Sequence, residues 1–242
     1  MEFVSREHFD TYLRGIQYLG QGCQGVCYLN TRNNTVYKVF NDYFDEEDAG
    51  YTKDFLLRFS DIKNSTFIWP SAVIIVAGTI VGYTMPYVKA KNLCDINPLQ
   101  VNLDKLEKAT IRAEKDIKLP TDSNVKLYDV EYNILYANGR MSIIDTLDYT
   151  GSKTTYIENR RQVDYELMLF LVDNYFDYFV ENDKLLSTMY REYGVRGVDF
   201  LKAFRNKLSK YVGKDITKLN EAKHLVRKNK DHIYQRGIYY DK

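Results

Sequence analysis

Several things are scarce in this sequence. Proline occurs only 4 times in 242 residues, and there is no internal repeat or low-complexity segment, so no proline-rich linker divides the chain. Cysteine occurs 3 times, as Cys23, Cys27 and Cys94. An odd count without metal-ligand spacing argues against a disulfide-stapled scaffold or a zinc ribbon, and it reads as reduced thiols in a cytoplasmic protein. No apolar run is long enough to span a bilayer: the most apolar stretch, "SAVIIVAGTIVGYTMPYV", is broken by "AGT" and Gly82 and reads as two strands joined by a tight turn. The first ten residues, "MEFVSREHFD", are charged from the second position and carry no signal-peptide core. A strong charge of one sign is also missing, since the net charge is +1.

What is present is an ordinary globular composition, 45% hydrophobic and 28% charged, with 22 tyrosines. The charge is unevenly spread. Residues 201 to 242 hold 12 Lys and Arg against 4 Asp and Glu, a local +8 that the rest of the chain balances with −7. Amphipathic helices with solvated faces account for such a stretch; an acidic partner for these basic helices is the functional alternative.

The most informative segment is "LGQGCQGVCYLNTRNNTVYKVF", residues 19 to 40. Gly20, Gly22 and Gly25 have the G-x-G-x-x-G spacing, but the residues after them alternate like a strand and end in a turn. The glycines therefore belong to a β-hairpin, not to a strand-to-helix turn; such a hairpin either uses glycine simply for tight turns or has a tip that covers phosphates. Lys38, in "VYKVF", shares a strand face with Val36 and Phe40. A lysine on such a face needs a partner, and triphosphate oxygens with a carboxylate from the following helix would supply one. Asp54 is the first candidate for that carboxylate, with Glu46 and Glu47 as competitors.

Further on, "LYDVEYNILYANGRMSIIDTLDY" reads as a loop and a hairpin turning at "ANGR". Asn133 and Asp145 lie about equally far from that turn, which would set them side by side at the mouths of paired strands, as a Mg²⁺ clamp requires. "NLDKLEKATIRAEKDIKL" and most of the chain after Arg161 read as helix. "QVDYELMLFLVDNYFDYFV", apolar nearly all round, is expected to be a buried central helix, and "VDFLKAFRNKLSKYV" puts Phe200, Phe204, Leu208 and Tyr211 on one face. Strands with one helix followed by helices give an α+β arrangement.

From Gly15 to Asp148 the chain resembles the protein-kinase-like superfamily, through the glycine loop, the Lys38 strand, "YTMPYV" and "NIL…IID". The missing H-R-D and A-P-E motifs and the reduced Asp145-Thr146-Leu147 make it most similar to small atypical bacterial-type kinases and the aminoglycoside and choline phosphotransferase branch. The resemblance implies a single bilobal domain over residues 1–242. Its N-lobe would run to about residue 87, with a five-stranded antiparallel sheet and one helix; a hinge would occupy about 86–92, and a small, mainly helical C-lobe 93–242. It also implies ATP and Mg²⁺ as cofactors and an unidentified hydroxyl acceptor, a protein or a small molecule. Lys38 would hold the phosphates, and Met85 would be the gatekeeper. The backbones of Pro86 and Val88 would meet the adenine, Asn133 and Asp145 would hold the metal, and Asp129 would be the catalytic base. Asp164, near the start of the central helix, would anchor the catalytic loop. The expected function is γ-phosphoryl transfer; a nucleotide-binding pseudokinase scaffold and an AMP transferase are the alternatives.

Overall fold

A computed structural model of the chain describes residues 1–226. It is an α+β protein that divides into two compact units. The first is Met1–Lys89 together with the short segment Ile144–Leu147; the second is Ala90–Ile143 and the described chain from Asp148 onward.

In the first unit, β1 (Glu2–Phe3), α1 (Arg6–Arg14), β2 (Gln17–Gln21), β3 (Gly25–Asn30), β4 (Thr35–Phe40), α2 (Asn41–Phe44), α3 (Lys53–Leu57), β5 (Ala72–Val76) and β6 (Thr79–Pro86) follow in order. The sheet has six strands in the order β1-β5-β6-β4-β3-β2, against the five antiparallel strands expected. The additional strand is β1, only two residues long, which runs parallel to β5. It is too short to show a period of two, so the sequence pattern does not reveal it.

Strand β4 is central, and both of its faces are covered. Tyr37 and Val39 join Phe9 and Leu13 of α1, Phe3, Ile74 and Val81 in one apolar cluster. Val36 and Phe40 join Leu29, Val73, Tyr83, Met85, Leu56 and Leu147 in another. Helix α1 forms here because the Ser5 side chain accepts the His8 N–H at its start, and because Phe9 and Leu13, four residues apart, point to the sheet. Burying each of these two side chains contributes about 1.5–3 kcal/mol. The β5–β6 connection is a two-residue turn, Ala77-Gly78, with positive φ at both positions, the geometry whose twist matches paired strands.

The second unit holds three small strands, β7 (Lys91–Asn92), β9 (Ile134–Ala137) and β10 (Arg140–Ile143), ordered β10-β9-β7. A separate pair consists of β8 (Val125–Lys126) and β11 (Thr150–Gly151). Its helices are α4 (Leu103–Asp122), α5 (Tyr156–Val172), α6 (Asp177–Asn182), α7 (Lys184–Arg191), α8 (Gly197–Val212) and α9 (Lys223–Val226). The expected hairpin is present, with Asn138-Gly139 as its turn and both φ values positive.

Helix α5 starts five residues before Arg161, where Thr155 and Glu158 form a reciprocal capping box. The expected single central helix ends at Val172, and α6 takes up its remainder. On α8, Phe200, Phe204 and Leu208 are buried as the spacing predicts, but Tyr211 is exposed, its ring edge against Phe179. Among the described residues no helix is long and apolar enough to cross a membrane. The basic stretch 201–242 lies within the described residues only as far as 226.

Candidate functional site

The glycine hairpin forms as its spacing predicts. Gly20 pairs with Cys27 after a bulge in β2, and Gly25 pairs with Phe40. The three glycines differ in what surrounds them. A Cβ on Gly25 would come within 2.2 Å of the Val39 carbonyl oxygen, so this glycine permits close packing of β3 on β4. Around Gly20 and Gly22 a Cβ would meet nothing within 4 Å.

The tip is closed by Gly22 N–H donating to the Gly25 carbonyl. Asn41, at the start of α2, holds it from outside. Its side chain donates to the carbonyls of Gly22 (3.3 Å) and Cys23 (2.8 Å), and its N–H donates to the Gln24 carbonyl (3.2 Å). Nothing in the hydrophobic pattern singles out Asn41, which reads there as a polar residue after a strand.

Lys38 is 5% exposed. It lies opposite Cys27 on β3 and Tyr83 on β6, and Gly82 lets β6 approach, since a Cβ there would strike the Lys38 carbonyl oxygen at 2.2 Å. The Lys38 ammonium donates to Gln24 Oε1 at 2.9 Å and to Asp145 Oδ1 at 2.5 Å, and the Tyr83 ring lies 5.9 Å away. A buried ammonium requires such partners. Burial pushes the neighbouring Cys27 thiol pKa up; the Lys38 charge opposes this and the Asp145 charge adds to it.

The carboxylate that meets Lys38 is therefore Asp145, and not one from the helix after β4. That helix is fragmented: α3 has five residues, turns Leu56 into the core and leaves Asp54 exposed. Glu46 and Glu47 are also exposed, and Glu46 pairs loosely with Arg6 at 3.8 Å. A long amphipathic helix across residues 46–62 does not form because Gly50, at φ +70°, and the extended residues beside it interrupt it.

Asp145 reaches Lys38 because the Ile144–Leu147 segment is tied into the first unit. Leu147 joins the Lys38-side cluster, the Arg58 guanidinium donates to the Leu147 carbonyl at 2.5 Å, and the Thr146 hydroxyl donates to the Ile68 carbonyl. Asp145 itself has φ +56°, a backbone conformation uncommon outside glycine and tolerated best by Asn and Asp. Its side chain is 32% exposed, and Oδ2 has no hydrogen-bond partner among the described residues.

Of the residues assigned to adenine, Met85 is buried in the same cluster as Val36, Pro86 is exposed and Val88 is half-buried. The Tyr87 N–H between them is taken by the Asn34 carbonyl.

Asp129 and Asn133 belong to the second unit. The β9–β10 ladder ends at Ile134 and Ile143, with Asn133 immediately before it. Asn133 holds its loop closed: its side chain donates to the Asp129 carbonyl at 2.7 Å and its N–H to the Val130 carbonyl at 3.0 Å. Asp129 and Tyr132 both have positive φ, at +48° and +62°. The Asn92 side chain also donates to the Tyr132 carbonyl.

The anchor under this loop is Asn159 on α5, not Asp164. The buried Asn159 side chain accepts the Leu127 N–H at 2.9 Å and donates to the Val125 carbonyl (2.8 Å) and the Thr121 hydroxyl (2.9 Å). Asp164 instead takes Arg160 Nε at 2.7 Å and lies against Gly197, where a Cβ would meet its Oδ1 at 3.0 Å. Burial pushes its pKa up to about 6, with Arg160 and the Gly197 N–H opposing. Two residues further along α5, Glu166 is 5% exposed and its Oε1 has no hydrogen-bond partner. Burial and the Glu131 charge push it up to about 7, while the Tyr132 N–H opposes them. In the sequence Asn159 and Glu166 are ordinary polar residues of a helix; only the burial of that helix on nearly every side gives them roles.

No protein-family model matches the chain, and no curated protein matches it. The reading of the site therefore comes from its own chemistry. That chemistry consists of a buried ammonium joined to a part-exposed carboxylate and to the amide of a glycine-rich turn.

Proposed function

We propose that the protein binds ATP with Mg²⁺ and transfers the γ-phosphoryl group to a hydroxyl acceptor, on a bilobal protein-kinase-like fold. The observation that carries this reading is Lys38, whose buried ammonium links Gln24 of the glycine hairpin to Asp145. A triphosphate offers that ammonium stronger acceptors than an amide oxygen, and the open space at Gly20 and Gly22 admits phosphate oxygens close to the backbone.

Asp145 fits a cation ligand, since only its Oδ1 is engaged by Lys38 and the side chain reaches solvent. Among the described residues no three His, Cys, Asp or Glu side chains form a metal cluster. A magnesium ion that shares phosphate oxygens needs only one or two carboxylates from the protein, and when bound it would neutralise charge on the phosphates. Asn133 and Asp129 enter this proposal from the resemblance. Asn133 would add a metal ligand. Asp129 would accept the proton of the acceptor hydroxyl as its oxygen bonds to the γ-phosphorus and the bond to the β-phosphate oxygen of ATP breaks, releasing ADP.

One observation favours a second reading, a nucleotide-binding scaffold without transfer. Among the described residues the Asp129 carboxylate makes no hydrogen bond or ion pair that would orient it as a base. AMP transfer is a third outcome that the same experiment detects. Incubation with γ-labelled and, separately, α-labelled ATP distinguishes them. Protein or acceptor labelled from γ only supports the proposal, label from α only shows AMP transfer, and binding without either label supports the scaffold.

A further inference from the structure

The second unit carries a group of lysines without carboxylate partners that the nucleotide reading does not use. Helix α8 brings much of the basic character of the C-terminal stretch, and three of its four cations are matched within the unit. Arg205 pairs with Asp104 at 2.5 Å, Lys202 with Glu107 at 3.4 Å and Lys207 with Asp183 at 2.7 Å. The acids of the first turns of α4 are thereby engaged. Around the other side of the same helix start runs an open groove of about 500 Å³, lined among others by Lys91, Lys105, Lys218, Asn102, Val101 and Tyr136. No carboxylate lines it, and among the described residues none of the three lysines forms an ion pair. Glu221, three residues after Lys218, is held by Lys214 at 2.8 Å and by the backbone N–H groups of Thr217 and Lys218, and Asp215, three residues before Lys218, does not line the groove. The contacts of Glu221 lower its pKa to about 2, with Lys214 the largest cause.

The three lysines are placed by separate backbone contacts. Lys91 pairs with Tyr136 in the small sheet. Lys218 bridges to Asn102, and the Leu103 N–H donates to the Thr217 carbonyl at 2.8 Å. The turn at Gly139 packs on Lys105, whose Cβ lies 3.3 Å from where a Gly139 Cβ would be. Ile96, Val101 and Ala137 give the groove an apolar floor between charged and amide groups. Uncompensated like charges held on a fixed frame repel one another, and an anion that bridges them relieves that repulsion.

We propose that this groove binds a small soluble organic anion carrying at least two phosphate or carboxylate groups on a partly apolar body. Its volume lies in the range of small-molecule sites. Three ammonium groups supply the charge, Asn102 and Asn138 supply amide hydrogen bonds, and the floor takes the body of the ligand. On β9 the groove is lined from Tyr136 to Asn138, three to five residues from Asn133 along an extended strand, or roughly 10–16 Å, and neither Asn133 nor Asp129 lines it.

The test is calorimetric titration of the full chain at physiological salt with benzene-1,3,5-tricarboxylate, which carries three carboxylates on an apolar ring, as the probe, alongside Lys105→Gln, Lys218→Gln and, as an off-groove control on the same helix as Lys105, Lys115→Gln. Saturable one-to-one binding that weakens about tenfold in each groove variant, through loss of one charge-assisted contact, and is unchanged in Lys115→Gln supports the proposal. Absence of saturable binding, or equal binding by all variants, overturns it. So does binding of a poly-glutamate peptide or single-stranded RNA under conditions where the small anion does not bind, because the surface would then be a macromolecular one. Mg-ATP affinity is measured on the same variants and should not change, so failure here is distinct from failure of the nucleotide reading.

Discussion

The Lys38 ammonium and the Asp145 carboxylate meet at 2.5 Å, although 107 residues separate them in the chain. The two ends of this pair are unequal: the Lys38 side chain is 6% exposed and that of Asp145 is 32% exposed. Removing either partner therefore leaves a different remainder. Asp145→Asn leaves a buried ammonium with only Gln24 and dipoles beside it, at a cost of about 1–3 kcal/mol, less than for a fully buried pair because water reaches the carboxylate side. Lys38→Met keeps the apolar stem and leaves a carboxylate that solvent can hydrate. Chemical denaturation should show Asp145→Asn to be the less stable of the two. The reverse order would mean that the unpaired Asp145 carboxylate, and not the unpaired ammonium, is the costlier remainder.

The glycines should separate into structural and functional classes. Gly25→Ala forces a methyl into the Val39 carbonyl and should cost about 1–3 kcal/mol, as overpacking does. Gly20→Ala and Gly22→Ala meet open space and should keep the melting temperature close to wild type while weakening Mg-ATP binding. Thermal melts with and without Mg-ATP read both effects. A Gly22→Ala protein with a full nucleotide-induced shift would remove the hairpin tip from the site.

Asn159 makes three buried hydrogen bonds to the strand and helix end that precede the Asp129 loop. Asn159→Ala leaves the Leu127 N–H and the Val125 carbonyl unsatisfied and should destabilise the protein by about 2–4 kcal/mol. Hydrogen exchange should rise first across residues 125–133. Uniform loosening of the whole second unit would show that the residue serves general packing and not this loop.

Glu166 gives stability a pH dependence whose sign is fixed by its environment. Its pKa rises from 4.5 to about 7 on folding, so the folded chain holds a proton that the unfolded chain releases. The associated stability is fully present below pH 4.5 and is lost as pH rises through 7. Asp164, raised to about 6, acts in the same direction. Glu166→Gln should therefore be more stable than wild type at pH 8, by no more than about 3 kcal/mol, with a much smaller difference at pH 5. A difference that is the same at both pH values would mean that Glu166 does not titrate in this range.

The glycine hairpin, the Lys38 strand face and the Asn138-Gly139 turn were legible because each rests on a local rule: spacing, a period of two, or turn chemistry. The partner of Lys38 was not, since a pairing across 107 residues leaves no local trace and the expected Asp54 lies on a helix too short to carry it inward. Asp164 stands out in the sequence because it is charged, whereas the amide of Asn159 gains its role only from its burial and its partners across the fold. Strand β1 was hidden by its two-residue length. The α+β class, by contrast, was readable from the order of periodicities.

The central claim is that Lys38 and Asp145 together hold a magnesium-bound triphosphate. Isothermal titration of Mg-ATP, compared with ATP in EDTA, into wild type and Asp145→Asn tests it most directly. The account predicts saturable binding to wild type that depends on Mg²⁺, and loss of most of that magnesium dependence in Asp145→Asn, because the charge opposite the metal is gone. Equal Mg-ATP affinity in the two proteins, or no binding to wild type in either condition, would contradict it.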